Sequence, residues 1–421
     1  MLLTASIGGT ACRREEGAVL VEESLDAGCL TYTVDLEQAA SSGSRQYGRS
    51  GRVGDDLIMS PDMWLWLPEP QPTDVLPEVR FELPDGVRIA VPWRKVGKSY
   101  RVPASHFEWS ATGALGRFRR TRLTESGGEL DVVFLGGGWG ARDAVITELL
   151  QRAARATASV WGRFPTERAQ ILLLPRGNHP FGYALRGGGD SVLLTFPADF
   201  DRDDVPTNWT TVHELLHLGF PAMEGDHAWF YEGFVTYLAA VARARTGWIS
   251  ERAAWWELLD GFERGRKRGS GKTLRDESAA MHDTREYWRV YWSGAAIALE
   301  IDMRLRSRGK TLDEALHALL ADRLDPATHW RAQDVLAKLD LHSGTRVASD
   351  VADKYLDRAA FPDIDPVLKQ LGVALAQVPQ SEDHTCQDNP CPGLISYNDE
   401  APHVAIRQAI MRRPLTSAKA D

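Results

Sequence analysis

Hydrophobic and polar residues alternate in the first third of the chain, in the pattern of short β-strands. Polar and apolar positions alternate over residues 31–36, and residues 81–91 read as two short strands around the turn Pro84-Asp85-Gly86. A period of two is typical of strands that bury one face. Glycine and proline interrupt this region often. The pattern therefore predicts a β-sandwich-like unit over residues 30–125.

The pattern changes near residue 130. Continuous apolar runs over residues 130–135, 169–174 and 191–196 predict three buried strands. Residues 143–161 repeat apolar positions every three and four residues, which is typical of a helix. From residue 207 to 372 the helical period dominates, and the predicted helices are 208–219, 228–246, 250–265, 285–307 and 312–322.

Together these patterns predict an α+β protein in which a β unit is followed by an α/β and then helical unit. We divide the chain into a leader or disordered start at residues 1–29 and the β unit at 30–125. The second unit covers residues 126–375, and a polar, irregular tail covers residues 376–421.

Composition and charge narrow the possible functions. The chain has 421 residues, of which 43% are hydrophobic and 25% charged, an ordinary globular composition. Its net charge of -9 provides no basic field for phosphate, so we expect no nucleic-acid partner. Apolar stretches are too short to span a bilayer, so we expect no transmembrane span.

The N-terminus and the cysteines bear on the compartment. Residues 1–11 are small and apolar and precede Cys12, as in an export signal with a lipid-modified cysteine, although basic residues at the start are lacking and Gly9 replaces a branched residue. We expect an exported protein of the periplasm or cell envelope with a possible lipid anchor at Cys12; the alternative is a cytoplasmic protein. Cys386 and Cys391 flank a short turn that suits a disulfide, with free thiols as the alternative.

The most informative stretch is His213-Glu214-Leu215-Leu216-His217, an HExxH motif. Two histidines four residues apart stand on one face of a helix, so both imidazoles can point at one ion. The carboxylate of Glu214 lies beside the first histidine, close enough to contact a bound water. The flanking residues are apolar, and a buried helix does not carry such polar groups without partners. The alternative is a core helix whose histidines are hydrogen-bonded elsewhere.

A catalytic zinc ion needs a third protein ligand and an open position for water. The next helix offers Glu232, the only acid in the run from Trp229 to Tyr237. The connecting loop is long enough to reverse the chain, which would bring Glu232 to the two histidines. Glu224, Asp226 and His227 are rival ligands in that loop. We therefore predict one Zn²⁺ ion held by His213, His217 and Glu232.

These motifs resemble those of the gluzincin metallopeptidases, and specifically the glycyl aminopeptidase family. HELLH is followed by WFYEGFVTY, and Tyr291-Trp-Ser-Gly294 with the segment from Leu299 to Arg304 is similar to the tyrosine–glycine segment of the family. The resemblance covers about residues 30–372 and implies a thermolysin-like catalytic domain, with a small mixed sheet and a helical half, without the C-terminal PDZ module.

The resemblance also implies a role for each matching residue. His213, His217 and Glu232 would bind zinc, Glu214 would act as general base on a metal-activated water, and Tyr291 would hydrogen-bond the oxyanion. Tyr287 is the rival for that last role. The expected function is a zinc-dependent peptidase, with aminopeptidase activity as the finer form, acting on a peptide or protein substrate. The alternative is a non-catalytic gluzincin that serves as a binding or scaffolding protein of the cell envelope; the oligomeric state stays open.

Two departures from the family concern specificity. The family usually has Lys-Gly after the tyrosine, where this chain has Ser293-Gly294. Aminopeptidase relatives carry an acidic residue on the glycine-rich edge strand, where it holds the free amine of the substrate. In this chain Arg186 lies close to that position, and Asp190 is the acid that could replace it.

Overall fold

The structure is a computed structural model that describes residues 2–8, 12–15, 18–21, 29–42, 50–65, 78–102, 112–185, 189–223, 225–324, 328–376 and 395–412. Side chains are described from residue 34 onwards. The predicted disulfide between Cys386 and Cys391 and the side chain of Cys12 therefore lie outside the described parts. Within those parts, every helix is too short or too polar to form a transmembrane span.

The first unit is built from short strands. They are β1 Leu2–Gly8, β2 Cys12–Glu15, β3 Ala18–Val21, β4 Cys29–Asp35, β5 Gly51–Val53, β6 Asp56–Met59, β7 Glu78–Val79, β8 Arg88–Ala90, β9 Arg94–Val96, β10 Ser99–Arg101 and β11 Gly113–Gly116, with helix α1 Leu36–Ser42 after β4. The sheets have the orders β5-β6-β11-β8, β7-β10-β9, β1-β4 and β2-β3.

Two predictions for this unit need correction. Strand β8 follows the turn at Pro84, but residues 81–83 form no strand, because proline lacks an N–H and β8 pairs with β11 instead of folding back. Phe81 and Leu83 pack into the apolar cluster of the unit. Strands β1 to β3 lie in the stretch 1–29, so the disordered start is wrong for them; the leader stays a prediction.

The second unit contains a five-stranded mixed sheet. Its strands are β12 Arg119–Glu125, β13 Gly128–Phe134, β14 Arg168–Pro175, β15 Phe181–Leu185 and β16 Ser191–Phe196, in the order β12-β13-β14-β16-β15. Strands β13, β14 and β16 run parallel, and the two edge strands run antiparallel to their neighbours. The hairpin of β12 and β13 crosses the predicted boundary after residue 125, because the tight turn at Ser126 and Gly127 joins them.

Both faces of this sheet are covered, which explains the continuous apolar runs of its strands. On one face, Ile171 and Leu194 belong to the large core formed with the helices. On the other face, Leu172 and Leu193 pack against Ile58 and other residues of the first unit. The sheet is therefore the layer that joins the two units.

Buried carboxylates strengthen this junction. Asp56 accepts hydrogen bonds of 2.8 Å from the backbone N–H groups of Arg117 and Gly136, which lie next to each other at the open end of the β12–β13 hairpin. Asp131 on β13 is buried between the guanidinium groups of Arg120 and Arg168. Burial alone would raise the pKa of Asp131, but the two guanidinium groups hold it below its ordinary value.

The rest of the second unit is helical. The helices are α2 Arg142–Trp161, α3 Thr210–His217, α4 Ala228–Arg245, α5 Glu251–Arg266, α6 Leu274–Ala279, α7 Met281–Thr284, α8 Tyr287–Arg306, α9 Leu312–Ala321, α10 Ala332–Ser343, α11 Val347–Leu356, α12 Asp365–Leu371 and α13 Val404–Met411. The predicted buried strands and the specifically predicted helices are confirmed to within two residues at each end. The α+β class is confirmed with them.

The predicted irregular tail is wrong for residues 395–412. Strand β18 Ile395–Tyr397 pairs with β17 Val373–Leu375, and α13 packs on the core with Ile410 fully buried. The guanidinium of Arg245 on α4 donates a 2.9 Å hydrogen bond to the carbonyl of Ile410. These long-range partners order a segment whose own composition is polar.

Helices α4 and α8 approach each other backbone to backbone, where Gly233 meets Gly294. A Cβ atom on Gly294 would fall inside the contact distance of the Trp229 carbonyl oxygen and 2.8 Å from Cα of Gly233. Glu232 immediately precedes this contact on α4, and Tyr291 lies one turn before it on α8. Two residues without side chains thus set the distance between these helices.

We expect the Gly294→Ala substitution to lower the free energy of unfolding by about 3 kcal/mol or more, because the added methyl group forces the helices apart. Thermal and urea unfolding of the full chain measure this loss. Gly225→Ala is the matched control, since a Cβ atom there meets nothing within 4 Å. Equal stability of the two variants would contradict the role of the glycine contact.

Candidate metal centre

Three side chains from α3 and α4 converge on one point. The Nε2 atoms of His213 and His217 lie 3.2 Å apart, and Oε2 of Glu232 lies 3.0 Å from the first and 3.5 Å from the second. Zinc–ligand bonds of about 2.0–2.1 Å in a tetrahedron place neighbouring ligand atoms about 3.3 Å apart. The triangle of donor atoms therefore has the size of one face of a zinc site. In the described part of the chain it is the one group of three or more such side chains that could hold a metal ion.

Hydrogen bonding alone satisfies this group poorly. The three atoms that converge are Nε2 of His213, Nε2 of His217 and Oε2 of Glu232, and each of them can act as an acceptor. Two imidazoles and a carboxylate need a proton between each pair of atoms, whereas one cation satisfies all three acceptors together. The chemistry of the donor set thus fits a metal ion better than it fits a core helix with hydrogen-bonded histidines.

Helix α3 holds both histidines rigidly. Val212, Leu215 and Leu216 are buried in the core between the sheet and α4. The side-chain carbonyl of Asn208 accepts a hydrogen bond of 3.1 Å from the N–H of Thr211, which satisfies one free donor in the first turn. The polar face of α3 is consequently fixed towards α4.

Glu232 lies in the second turn of α4, and the start of that helix is anchored from outside. The hydroxyl of Ser278 on α6 accepts from the N–H of Trp229 and donates to the carbonyl of Asp226, at 3.1 Å and 2.7 Å. Burial alone would raise the pKa of the Glu232 carboxyl, but the imidazoles of His217 and His213 outweigh burial and hold it well below its ordinary value. Glu232 is therefore ionised and ready to bind a cation.

The rival ligands do not join this group. Asp226 is exposed and pairs with His227 at 3.5 Å, and neither residue lies with the converging atoms. Glu224 lies outside the described residues.

The side chain of Glu214 lies against edge strand β15 and close to His213 and Glu232. The backbone N–H of Ala184 donates a hydrogen bond to its carboxylate. A Cβ atom on Gly182 would lie 2.5 Å from Cγ of Glu214, so the glycine makes room for this carboxylate. Burial raises the pKa of Glu214 to about 7, with a further rise from the charge of Glu232 and opposing contributions from His213 and Ala184. A carboxyl that titrates near neutral pH thus lies beside the metal ligands.

Tyr291 reaches the site from α8, whereas Tyr287 does not. Burial, and then the charge of the nearby Glu232 carboxylate, hold the pKa of the Tyr291 hydroxyl well above its ordinary value. The hydroxyl of Tyr287 lies 3.2 Å from Nδ1 of His282. The structure therefore brings the preferred tyrosine to the metal ligands and pairs its rival with a histidine outside them.

The described part of strand β15 carries no acidic side chain that could hold a substrate amine. Leu185 is buried, and Asp190 accepts a hydrogen bond of 2.5 Å from the hydroxyl of Thr166. In the hairpin of β15 and β16, Leu185 pairs with Ser191 at the end near the turn. Asp190 immediately precedes Ser191, so it lies at that end and away from Gly182. Arg186 lies outside the described residues.

Sequence reasoning missed three features of the site. The N–H of Ala184 and the space at Gly182 are backbone properties that become visible only when β15 lies against α3. Trp209 could have been found from the sequence, because a residue four positions before His213 lies on the same face of a helix. Its ring stands edge-on to that of His213, with the centroids 5.2 Å apart.

Comparison with known proteins identifies the fold. No protein-family model matches the chain, and no curated protein matches it. An aminopeptidase N family protein from Idiomarina loihiensis is similar in structure, with a TM-score of 0.62 and 17% identity over 91% of this chain and 72% of that one.

Two structures of an M1 zinc metallopeptidase from Deinococcus radiodurans are also similar. One has a TM-score of 0.56 and 16% identity over 86% of this chain and 84% of that one. The other is a mutant bound to a Tyr-Ser-Ala substrate, with a TM-score of 0.55 and 16% identity over 86% and 85%. This chain thus has the same fold as these aminopeptidase N-like zinc metallopeptidases.

Proposed function

We propose that this protein is a zinc-dependent peptidase that hydrolyses peptide bonds with Glu214 as general base. The observation that carries the proposal is the convergence of His213, His217 and Glu232 on one point, with a fourth ionisable side chain held beside them. The similar folds of zinc metallopeptidases support it.

A zinc ion supplies Lewis acidity, which polarises a carbonyl group and activates water. Glu214 accepts the proton of the attacking water and returns it to the leaving nitrogen. In the metal-free protein burial raises the pKa of this carboxyl above its ordinary value, which strengthens it as a base. The N–H of Ala184 and the space at Gly182 keep the carboxylate in one place between these transfers.

Tyr291 stabilises the oxyanion that forms from the substrate carbonyl. Its raised pKa keeps the phenol protonated, so it can donate a hydrogen bond to the developing negative charge. Its side chain feels the charges of Glu232 and Glu214, which indicates that it lies close to both carboxylates.

Aminopeptidase activity is the finer form of the proposal. The name of the Idiomarina loihiensis relative supports it. The five residues of β15, Phe181–Leu185, are uncharged, so a partner for a terminal ammonium group would come from another segment of the chain. Peptides with free and with acetylated amino termini, tested side by side, distinguish aminopeptidase activity from cleavage within a peptide. The exported location and the lipid anchor at Cys12 stay predictions from sequence.

We expect Glu214→Gln to bind one zinc ion per chain and to lose about a thousandfold in cleavage rate, because only the general base is removed. A peptide library and metal analysis of the zinc-loaded protein measure both quantities. Glu148→Gln, at an exposed glutamate of α2, is the matched control. Zinc binding without Glu214-dependent cleavage would contradict the peptidase and favour a binding or scaffolding protein.

We expect Tyr291→Phe to lower kcat about 100-fold with little change in KM, because the lost hydrogen bond forms mainly in the transition state. Tyr287→Phe is the control, since that hydroxyl pairs with His282. A larger loss in the control than in Tyr291→Phe would transfer the role to Tyr287.

The pKa of Glu214 also predicts how the metal-free protein responds to pH. The folded value of about 7 exceeds the ordinary value of 4.5, so the folded state keeps a proton that the unfolded state releases between these values. Stability from this group is complete at low pH and is lost as the pH rises to about 7, by about 3 kcal/mol.

Urea unfolding of the metal-free protein and of metal-free Glu214→Gln, from pH 4 to 8, measures this loss. The variant cannot release a proton at this position, so the difference in unfolding free energy between the two proteins changes with pH. Parallel curves would show that Glu214 does not titrate in this range.

A further inference from the structure

We propose that Trp209 forms one wall of a subsite that receives a large apolar or aromatic side chain of the substrate, next to the scissile bond. This inference rests on the proposed peptidase function and specifies its substrate class. It assigns Trp209 a role in specificity rather than in the chemical step.

The position of Trp209 places it beside the reaction. It immediately precedes α3, four residues before His213 and eight before His217, so all three lie along one face of the helix. The indole and imidazole planes meet at 88°, in an edge-to-face contact. Trp209 therefore continues the row of metal ligands by one turn.

The exposure of Trp209 contrasts with that of its neighbours. Its relative exposure is 47%, whereas that of His213 is 3% and that of Asn208 is 4%. Trp161, Trp229 and Trp255 illustrate how this chain uses most of its described indoles, because all three are buried in the core. A half-exposed indole next to a buried metal ligand leaves apolar surface free in the place where substrate must bind.

The surroundings of Trp209 select the chemistry of its partner. Asn208 and Thr210, its neighbours in the chain, are buried and uncharged. Trp288 is equally exposed, but the guanidinium of Arg264 lies 4.9 Å from its ring centroid. Among the described residues, no cation stacks on the ring of Trp209. Its surface is therefore open and apolar, and it gains most from a partner that buries apolar area, such as an apolar or aromatic side chain.

The expected gain in binding is sufficient for discrimination. Burial of a leucine or phenylalanine side chain against the indole removes apolar surface from water, and an aromatic side chain adds a favourable ring–ring contact. An alanine side chain at the same position reaches little of the indole. The subsite thus predicts a preference for phenylalanine or leucine over alanine beside the cleaved bond.

The test compares Trp209→Ala, Trp209→Phe and the unchanged zinc-loaded full chain on matched peptides. The peptides differ only in having phenylalanine or alanine on one side of the cleaved bond, and both sides are tested. We expect Trp209→Ala to lower kcat/KM for the phenylalanine peptide about 10- to 100-fold and for the alanine peptide less than about threefold. Trp209→Phe should restore most of the difference.

Trp288→Ala is the matched control, and it should change both peptides by the same factor. Metal content and thermal stability of each variant are measured in parallel. If Trp209 only shields His213 from water, Trp209→Ala loses zinc and cleaves both peptides equally poorly, which overturns the subsite.

Measurements of peptide binding separate failure of the subsite inference from failure of the peptidase proposal. If the unchanged protein holds zinc but cleaves nothing, calorimetry with the same phenylalanine and alanine peptides decides the inference. A preference for phenylalanine that disappears in Trp209→Ala supports the subsite. Equal affinity for both peptides, or a preference that survives the substitution, overturns it.

Discussion

The direct contact between Gly233 and Gly294 is the constraint on which the metal centre depends. Because neither residue has a side chain, α4 and α8 approach until their backbones touch. Glu232 and Tyr291 lie one residue and one turn from this contact, so its closeness fixes the distance between a candidate metal ligand and the tyrosine beside it. The two short motifs Glu232-Gly233 and Tyr291-Trp-Ser-Gly294 therefore do two things. Their glycines determine the distance between α4 and α8, and their first residues supply the polar side chains of the site.

The carboxylates of the site differ because their surroundings differ. Both Glu214 and Glu232 are largely buried, and burial alone would neutralise each of them. Two imidazoles keep Glu232 ionised, whereas Glu214 has one backbone N–H and the charge of His213 to oppose burial. One carboxyl is thereby suited to bind a cation and the other to exchange a proton, although they lie on adjacent helices.

Sequence patterns predicted the elements whose partners are local. The period of α3 and α4 placed His213, His217 and Glu232 on facing surfaces, and the apolar runs located the parallel strands to within two residues. The sequence patterns failed for segments whose contacts are with residues far away in the chain. Nothing in the polar composition after residue 376 indicates that Arg245 would anchor α13, and no pattern reveals that Ala184 would donate to Glu214. Residues 119–125 were assigned to the wrong unit because strand alternation does not identify the partner strand.

Residues of the first unit cover one face of the mixed sheet, and this determines how much of the chain must be present for the second unit to fold. Leu172 and Leu193 are fully buried there, and Ile58 of the first unit is part of what buries them. A fragment that began at β12 would leave this apolar face open to water and to other chains, as an aggregation surface. The half that carries the candidate metal centre therefore cannot be treated as an autonomous module. The N-terminal strands complete its hydrophobic core, and the two halves are expected to unfold together.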